Sequence, residues 1–326
     1  MPVELLARVS GAAVSLVVVA LALGGCSAAA PSPSPLDVSL PAAPTLRSLM
    51  DGAAEQPAFE LVEETTDFDG DHAEVVTYRS GGLEIQAVIR RPVSGADDSP
   101  AIVLLHGDVD PDEYSGLTAY DGFADEFVQR GYVVVVPDLR NHGDSDDDPT
   151  WETDMDVGST LDAINAARAT AADPMVDPSR VAVVGHSHGG GVAVAVAVAA
   201  PDAAAAFAAA APSHTSPWEN IERFAAGTPY FETVVAAHGT PAQSPEYWRD
   251  VSSLTFVDRA TAPLLIVHGT EDEIAPLEWS EDLSAAWSAA GKDATLVTIP
   301  GADHFFEPDG AALFDAMGDF LAEQMP

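Results

Sequence analysis

The 326-residue chain carries 52 Asp and Glu against 13 Lys and Arg, a net charge of −39, and 47% of its residues are hydrophobic. That length buries a sizeable core, while so negative a surface repels phosphate backbones and excludes nucleic acid as the expected partner. Lys292 is the single lysine, a balance that suits either high salt, where self-repulsion is screened, or a GC-rich coding sequence.

The N-terminus has an apolar stretch, Val14 to Leu23, too short to span a bilayer as a mature helix. It runs into Leu23-Gly24-Gly25-Cys26, followed by Ser27 and three alanines. This segment, residues 1–26, resembles a bacterial lipoprotein signal peptide. The resemblance implies export, lipidation of Cys26 and attachment to the cell membrane on its extracytoplasmic side; an ordinary secretory signal or a membrane-tethering segment is the alternative reading. Cys26 is the only cysteine, so no intramolecular disulfide is available. Residues 27–58, rich in Pro, Ala and Ser and including Pro31-Ser-Pro-Ser-Pro35, read as an extended tether.

The folded domain is expected over 59–326. Val75–Arg79 and Leu83–Arg91 flank a glycine pair and predict a hairpin. Ala101–Leu105 is a continuous apolar run, as expected of a strand covered on both faces, and His106-Gly107-Asp108 follows it. Helical spacing over Tyr120–Arg130 stops at Gly131, and Tyr132–Val136 is a second buried strand. Met155–Ala172 predicts a helix. Then Val181–Val184 leads into Gly185-His186-Ser187-His188-Gly189. Val192–Ala200 alternates Val and Ala, which favours a strand locally. A crossover following a parallel strand requires a helix, and topology decides for the helix.

Ala203–Ala211 predicts a short strand. The aromatic-bearing stretch 213–260 has no strong strand signal and reads as a lid-like insert. Leu264–Val267 is a strand leading to His268-Gly269-Thr270-Glu271-Asp272. A helix over Leu277–Ala290, a strand over Ala294–Ile299 and a closing helix over Ala311–Glu323 complete the chain. Strands alternating with helices imply an α/β domain, a mostly parallel sheet covered on both faces.

Side chains just past the carboxyl ends of such strands converge on one crevice. Ser187 sits on a strand-to-helix turn whose glycines leave room for adjoining backbone, and the His188 N–H at the helix start faces the place of an oxyanion. A serine hydroxyl needs a base, which His304 can supply. Asp272 would fix the His304 tautomer and stabilise the imidazolium. Glu271 and Glu273 flank Asp272, but the Gly-x-x-Asp spacing favours 272. His106 and His142 read as braces of their loops, His186 as packing, and His106 and His214 also as pocket residues.

The order Ser187, Asp272, His304 is that of the α/β-hydrolases. Together with His106-Gly107, Arg130-Gly131-Tyr132, Asp138-Leu-Arg-Asn-His-Gly143, Pro245-Glu-Tyr-Trp-Arg249, His268-Gly269 and Gly301-Ala-Asp-His304, it makes the domain resemble the catalytic domain of the prolyl oligopeptidase family and its dienelactone-hydrolase-like relatives. The resemblance implies an α/β-hydrolase fold and a serine peptidase or carboxylesterase acting on an ester or short peptide, without metal or cofactor. It adds the N–H of Asp108 as a second oxyanion donor. Two departures are expected: the residues before Glu74 are too few for the family's β-propeller, and Asp108 brings a carboxylate beside the oxyanion. An acyltransferase, or a surface-tethered binding lipoprotein without turnover, are the alternative readings.

Overall fold

The computed structural model describes residues 44–66, 72–93, 97–111, 114–117, 121–213 and 216–326. The expected signal peptide over 1–26 with Cys26, most of the expected tether, and His214 lie outside the described residues.

The first described element is a short helix, α1 (Leu46–Asp51), capped by the Thr45 hydroxyl, which accepts from the Ser48 N–H at 3.2 Å. Leu46 is buried in the main core, so the tether expected over 27–58 is corrected in its described part: from residue 46 the chain packs on the domain.

Three antiparallel strands follow, β1 (Glu60–Thr66), β2 (His72–Ser80) and β3 (Leu83–Arg90). β2 and β3 form the expected hairpin, with Ser80 opposite Leu83 and both Gly81 and Gly82 at positive φ. β1 has no counterpart in the sequence reading. It is an acidic, solvent-facing edge strand, so no apolar alternation betrays it.

The remaining strands and helices alternate: β4 (Ser99–Leu105), α2 (Asp121–Gln129), β5 (Val133–Pro137), α3 (Val157–Ala171), β6 (Val176–His186), α4 (His188–Ala199) and β7 (Ala206–Ala210). An excursion then holds α5 (Pro217–Ala225), α6 (Pro229–His238), α7 (Pro245–Val251) and a 3₁₀ segment, Ser253–Arg259. Each of these three helices has proline in its first turn, where the missing N–H costs nothing. β8 (Leu264–Gly269), α8 (Leu277–Ala289), β9 (Ala294–Ile299) and α9 (Gly310–Gln324) close the domain.

The nine strands form one sheet in the order β1-β2-β3-β5-β4-β6-β7-β8-β9, parallel from β5 to β9. Alternate residues of β4 show how it is covered. Ala101, Val103 and Leu105 join the core beneath α1, α3, α4 and α8. Ile102 and Leu104 join the core beneath α2 and α9. β4, β5, β7 and β8 are therefore buried on both faces, which is why they read as continuous apolar runs.

α4 is a helix despite its Val/Ala alternation. Every residue from Gly189 to Ala199 is buried; packing on the sheet overrides the local preference for a strand. The small side chains let it lie close to β6 and β7. Among the described residues no helix is long and apolar enough to cross a membrane.

Candidate active site

β6 stops at His186, and Ser187 makes the turn into α4 with φ 56° and ψ −118°. For a residue with a Cβ this is strained backbone, held by its surroundings. The Ser187 N–H donates to the Ala210 carbonyl at 2.9 Å, and its own carbonyl accepts from Gly191 and Ser213. The glycines explain the turn. A Cβ on Gly185 would lie 2.1 Å from the Gly189 carbonyl oxygen, and one on Gly189 would lie 2.3 Å from that of Leu105. Neither position admits any side chain.

The loops after β8 and β9 bring two partners to this serine. Ser187 Oγ is 2.9 Å from His304 Nε2, and His304 Nδ1 is 2.8 Å from Asp272 Oδ2. Asp272 Oδ1 accepts from the N–H groups of Ile274 and Ala275 at 2.8 and 2.9 Å. Burial of this carboxylate works against its charge, but hydrogen bonds from His268 and His304 and from the backbone outweigh it and hold the group well below the usual carboxylate range. Glu271 and Glu273, the sequence neighbours that might be mistaken for it, both point to solvent. Asp272 is thus ionised, so His304 Nδ1 carries the proton it donates, and His304 Nε2 offers a lone pair to the serine hydroxyl.

The flanking histidines divide. His186 is buried and its Nε2–H donates to the His304 carbonyl at 2.8 Å, with the two rings 4.9 Å apart. Burial lowers its pKa to about 4, so it stays neutral. The sequence points to packing for this ring; the structure adds a bond to the loop that carries His304. His188 turns the other way, with Nε2 3.0 Å from Asp156 Oδ1. Burial opposes a charge on that ring, yet Asp156 and Asp108 outweigh it and raise the pKa. The two rings therefore share no common ligand point, and among the described residues no group of His, Cys, Asp or Glu could hold a metal ion.

Ser187 and His304 open on a cavity of about 880 Å³. Gly107, Asp108 and Val109 form one wall, and Pro217, Ile221 and Phe224 of α5 with Tyr230 of α6 form another, so the 213–260 excursion supplies part of the enclosure. Trp151, Phe224, Tyr230, Ile274 and Phe305 are exposed large hydrophobic residues that all line it. The expected pocket role of His106 is corrected. Its ring is fully buried behind the wall, packed on Tyr114 and His142 at 4.3 and 4.6 Å between centroids. Its Nδ1 lies 2.8 Å from the Gly107 carbonyl oxygen, which makes it a brace of the loop that bears Asp108. His142 likewise has Nδ1 3.1 Å from the Arg140 carbonyl oxygen.

The Asp138–Gly143 loop is fixed from below. Arg140 donates from its backbone N–H, Nε and Nη2 to the buried Asp162, at 2.7 to 3.0 Å, and from Nη1 to Asp148. Ser80 Oγ completes Asp162 at 2.6 Å. Asp156, His268 and this Arg140–Asp162 pair were not singled out from the sequence. Asp156 has no local signal, for its place depends on the left-handed backbone at Met155 and Asp156.

The sequence model of the prolyl oligopeptidase family matches residues 120–325. The uncharacterized peptidase YuxL of Bacillus subtilis is 27% identical over 228 residues, 68% of this chain and 34% of the relative, so the chain spans about a third of that protein's length. Among solved structures, Porphyromonas gingivalis dipeptidyl peptidase 4 superposes with a TM-score of 0.61 at 19% identity, over 83% of this chain and 36% of the other. The acetyl xylan esterase from Paenibacillus sp. R4 superposes at 0.65 and 19% identity, over 86% of this chain and 92% of the other. The likeness to these structures is one of fold; with more than half its length matched by the family model, the chain belongs to the prolyl oligopeptidase family.

Proposed function

We propose that the protein is a serine hydrolase that cleaves a carboxylic ester or a peptide or amide bond through an acyl-enzyme on Ser187. The observation that carries this reading is the unbroken line of bonds from Ser187 Oγ through His304 to Asp272. Ser187 Oγ attacks the carbonyl carbon as its proton passes to His304 Nε2. Asp272 stabilises the imidazolium so formed. The tetrahedral oxyanion meets the N–H of His188, which as the first residue of α4 has no acceptor within its own helix. The N–H of Asp108 is the second donor. Its carboxylate, which stood as a difficulty for that role, is offset by the adjacent His188 ring, whose charged form Asp108 and Asp156 together favour.

His304 Nε2–H then protonates the leaving alkoxide or amine, giving the acyl-enzyme. Water attacks the acyl carbon with His304 again as base, releasing the acid and free Ser187. The aromatic rim and the cavity volume suit a bulky apolar group on the acyl or leaving side. Both an esterase and peptidases stand among the fold's relatives, and either bond fits this chemistry. Labelling with a fluorophosphonate tests the reading, because the probe needs an activated serine. Wild-type protein takes the label at Ser187, and Ser187→Ala folds normally, takes none and loses p-nitrophenyl ester turnover; undiminished turnover in that variant sinks the assignment. For the segment outside the described residues, the proposal is export and lipidation at Cys26. Incorporation of labelled palmitate that survives Cys26→Ala would refute it.

A further inference from the structure

The buried histidine at the end of β8 has a place in this same site. His268 is fully buried, and it does not line the cavity. Its Nε2 lies 3.1 Å from the Ala275 carbonyl oxygen and 3.2 Å from Asp272 Oδ2. Its Nδ1 lies 2.7 Å from the hydroxyl of Ser280, a buried residue in the first turns of α8. For the neutral ring these contacts fix the tautomer. A carbonyl and an ionised carboxylate have no proton to give, so Nε2 carries the hydrogen and donates to both. Nδ1 is left with its lone pair and accepts from the Ser280 hydroxyl. The other neutral tautomer would set a lone pair against two acceptors in the interior, where that is most costly.

Asp272 is thereby held on every side. Oδ1 takes two backbone N–H groups, and Oδ2 takes one N–H from each of two imidazoles, His304 and His268. The backbone bonds fix one oxygen. The orientation of the other, which must receive His304 Nδ1–H, rests on the two rings. We propose that His268 is a positioning residue of the hydrolytic reaction: it holds Asp272 Oδ2 toward His304, with the Ser280 hydroxyl anchoring the far side of its ring. The chain of contacts becomes Ser187, His304, Asp272, His268, Ser280, running from the cavity into the core beneath α8. This rests on the serine-hydrolase reading above.

Three variants test it: His268→Leu, which removes the donor; His268→Gln, whose amide N–H stands near the place of Nε2; and Ser280→Ala, which keeps the ring and removes the hydrogen bond that anchors its Nδ1 side. A hydrogen bond to a charged group is worth roughly ten- to a hundredfold. His268→Leu should therefore lower kcat by about that factor, with KM within about twofold because the ring meets no substrate. His268→Gln should return kcat to within about fivefold of wild type, and Ser280→Ala should lose about two- to tenfold, again in kcat. A ring that merely filled space would not be replaced better by glutamine than by leucine. Unchanged kcat in His268→Leu, equal losses in Leu and Gln variants, or a loss carried by KM would overturn the inference. Should His268→Leu not fold, the Gln and Ala variants decide by the same kcat criteria. The underlying reading is tested separately: if wild-type Ser187 takes no fluorophosphonate, that reading fails. If it labels, and the folded variants label at the wild-type rate, the positioning role alone fails.

Discussion

Replacing Asp272 with asparagine is the sharpest test of the site, because the structure dictates which way the amide must face. Oδ1 accepts two backbone N–H groups, from Ile274 and Ala275. The amide oxygen has to take that place, since an NH₂ there would oppose two donors. The NH₂ then occupies the position of Oδ2 and faces His304 Nδ1 and His268 Nε2, both of which donate in the wild type. His304 must turn to the tautomer with its lone pair on Nδ1. Its hydrogen moves to Nε2, pointing at Ser187 Oγ, and the serine has no base. His268 cannot adapt in the same way, because its Nε2 also faces the Ala275 carbonyl. A base in the wrong tautomer with geometry otherwise intact costs about 10⁴ in kcat in a serine hydrolase of this kind, or about 5 kcal/mol of barrier. Steady-state hydrolysis of a p-nitrophenyl ester measures it, with kcat falling by about that factor and KM within about threefold. Glu271→Gln and Glu273→Gln, both on exposed residues, should leave kcat unchanged. Retention of more than about a tenth of wild-type kcat by Asp272→Asn, or a larger loss in either glutamate variant, would refute the argument.

Two further variants probe the frame. Gly189→Ala would put a methyl group 2.3 Å from the Leu105 carbonyl oxygen and 2.6 Å from that of His106. Relieving the clash must move backbone beside the Asp108 N–H, so we expect a loss of about 1–3 kcal/mol in urea unfolding, together with a fall in kcat; wild-type stability would show the turn to be looser than described. The second concerns pH. Burial, with the Asp156 charge beside it, raises the Asp154 carboxyl to about 7. A raised carboxyl pKa favours folding below the unfolded value and loses that contribution as pH climbs to the folded value, so Asp154 should weaken the fold by about 2–3 kcal/mol between pH 5 and 8. Urea unfolding at the two pH values should show a flatter dependence in Asp154→Asn than in wild type, and an unchanged slope would contradict the assignment.

Much of the site was legible in the chain because the chemistry lies where strands end. Continuous apolar runs marked β4, β5, β6 and β8, and the polar residues after β4, β6, β8 and β9 had to meet at one edge of a parallel sheet. Ser187, Asp272 and His304 were each within a few residues of such an end. Gly185 and Gly189 announced a turn with no room for side chains, and the distances to neighbouring carbonyl oxygens bear this out. β1 escaped notice because an exposed acidic edge strand buries nothing and so has no pattern. The helix at Leu46 was hidden by its prolyl surroundings.

By itself, then, the sequence determined the layered α/β architecture and the three residues of the line, since periodicity and strand ends are local properties of the chain. Only the tertiary structure decided what the other histidines do. His106 and His188 differ by which side chains stand opposite them, Tyr114 and His142 for one and Asp156 for the other. His186 and His268 acquire their bonds from loops remote in the sequence or from the fold of the loop after β8. A histidine's role depends on the donor and acceptor facing each ring nitrogen, and that pairing exists only once the sheet has brought the loops together.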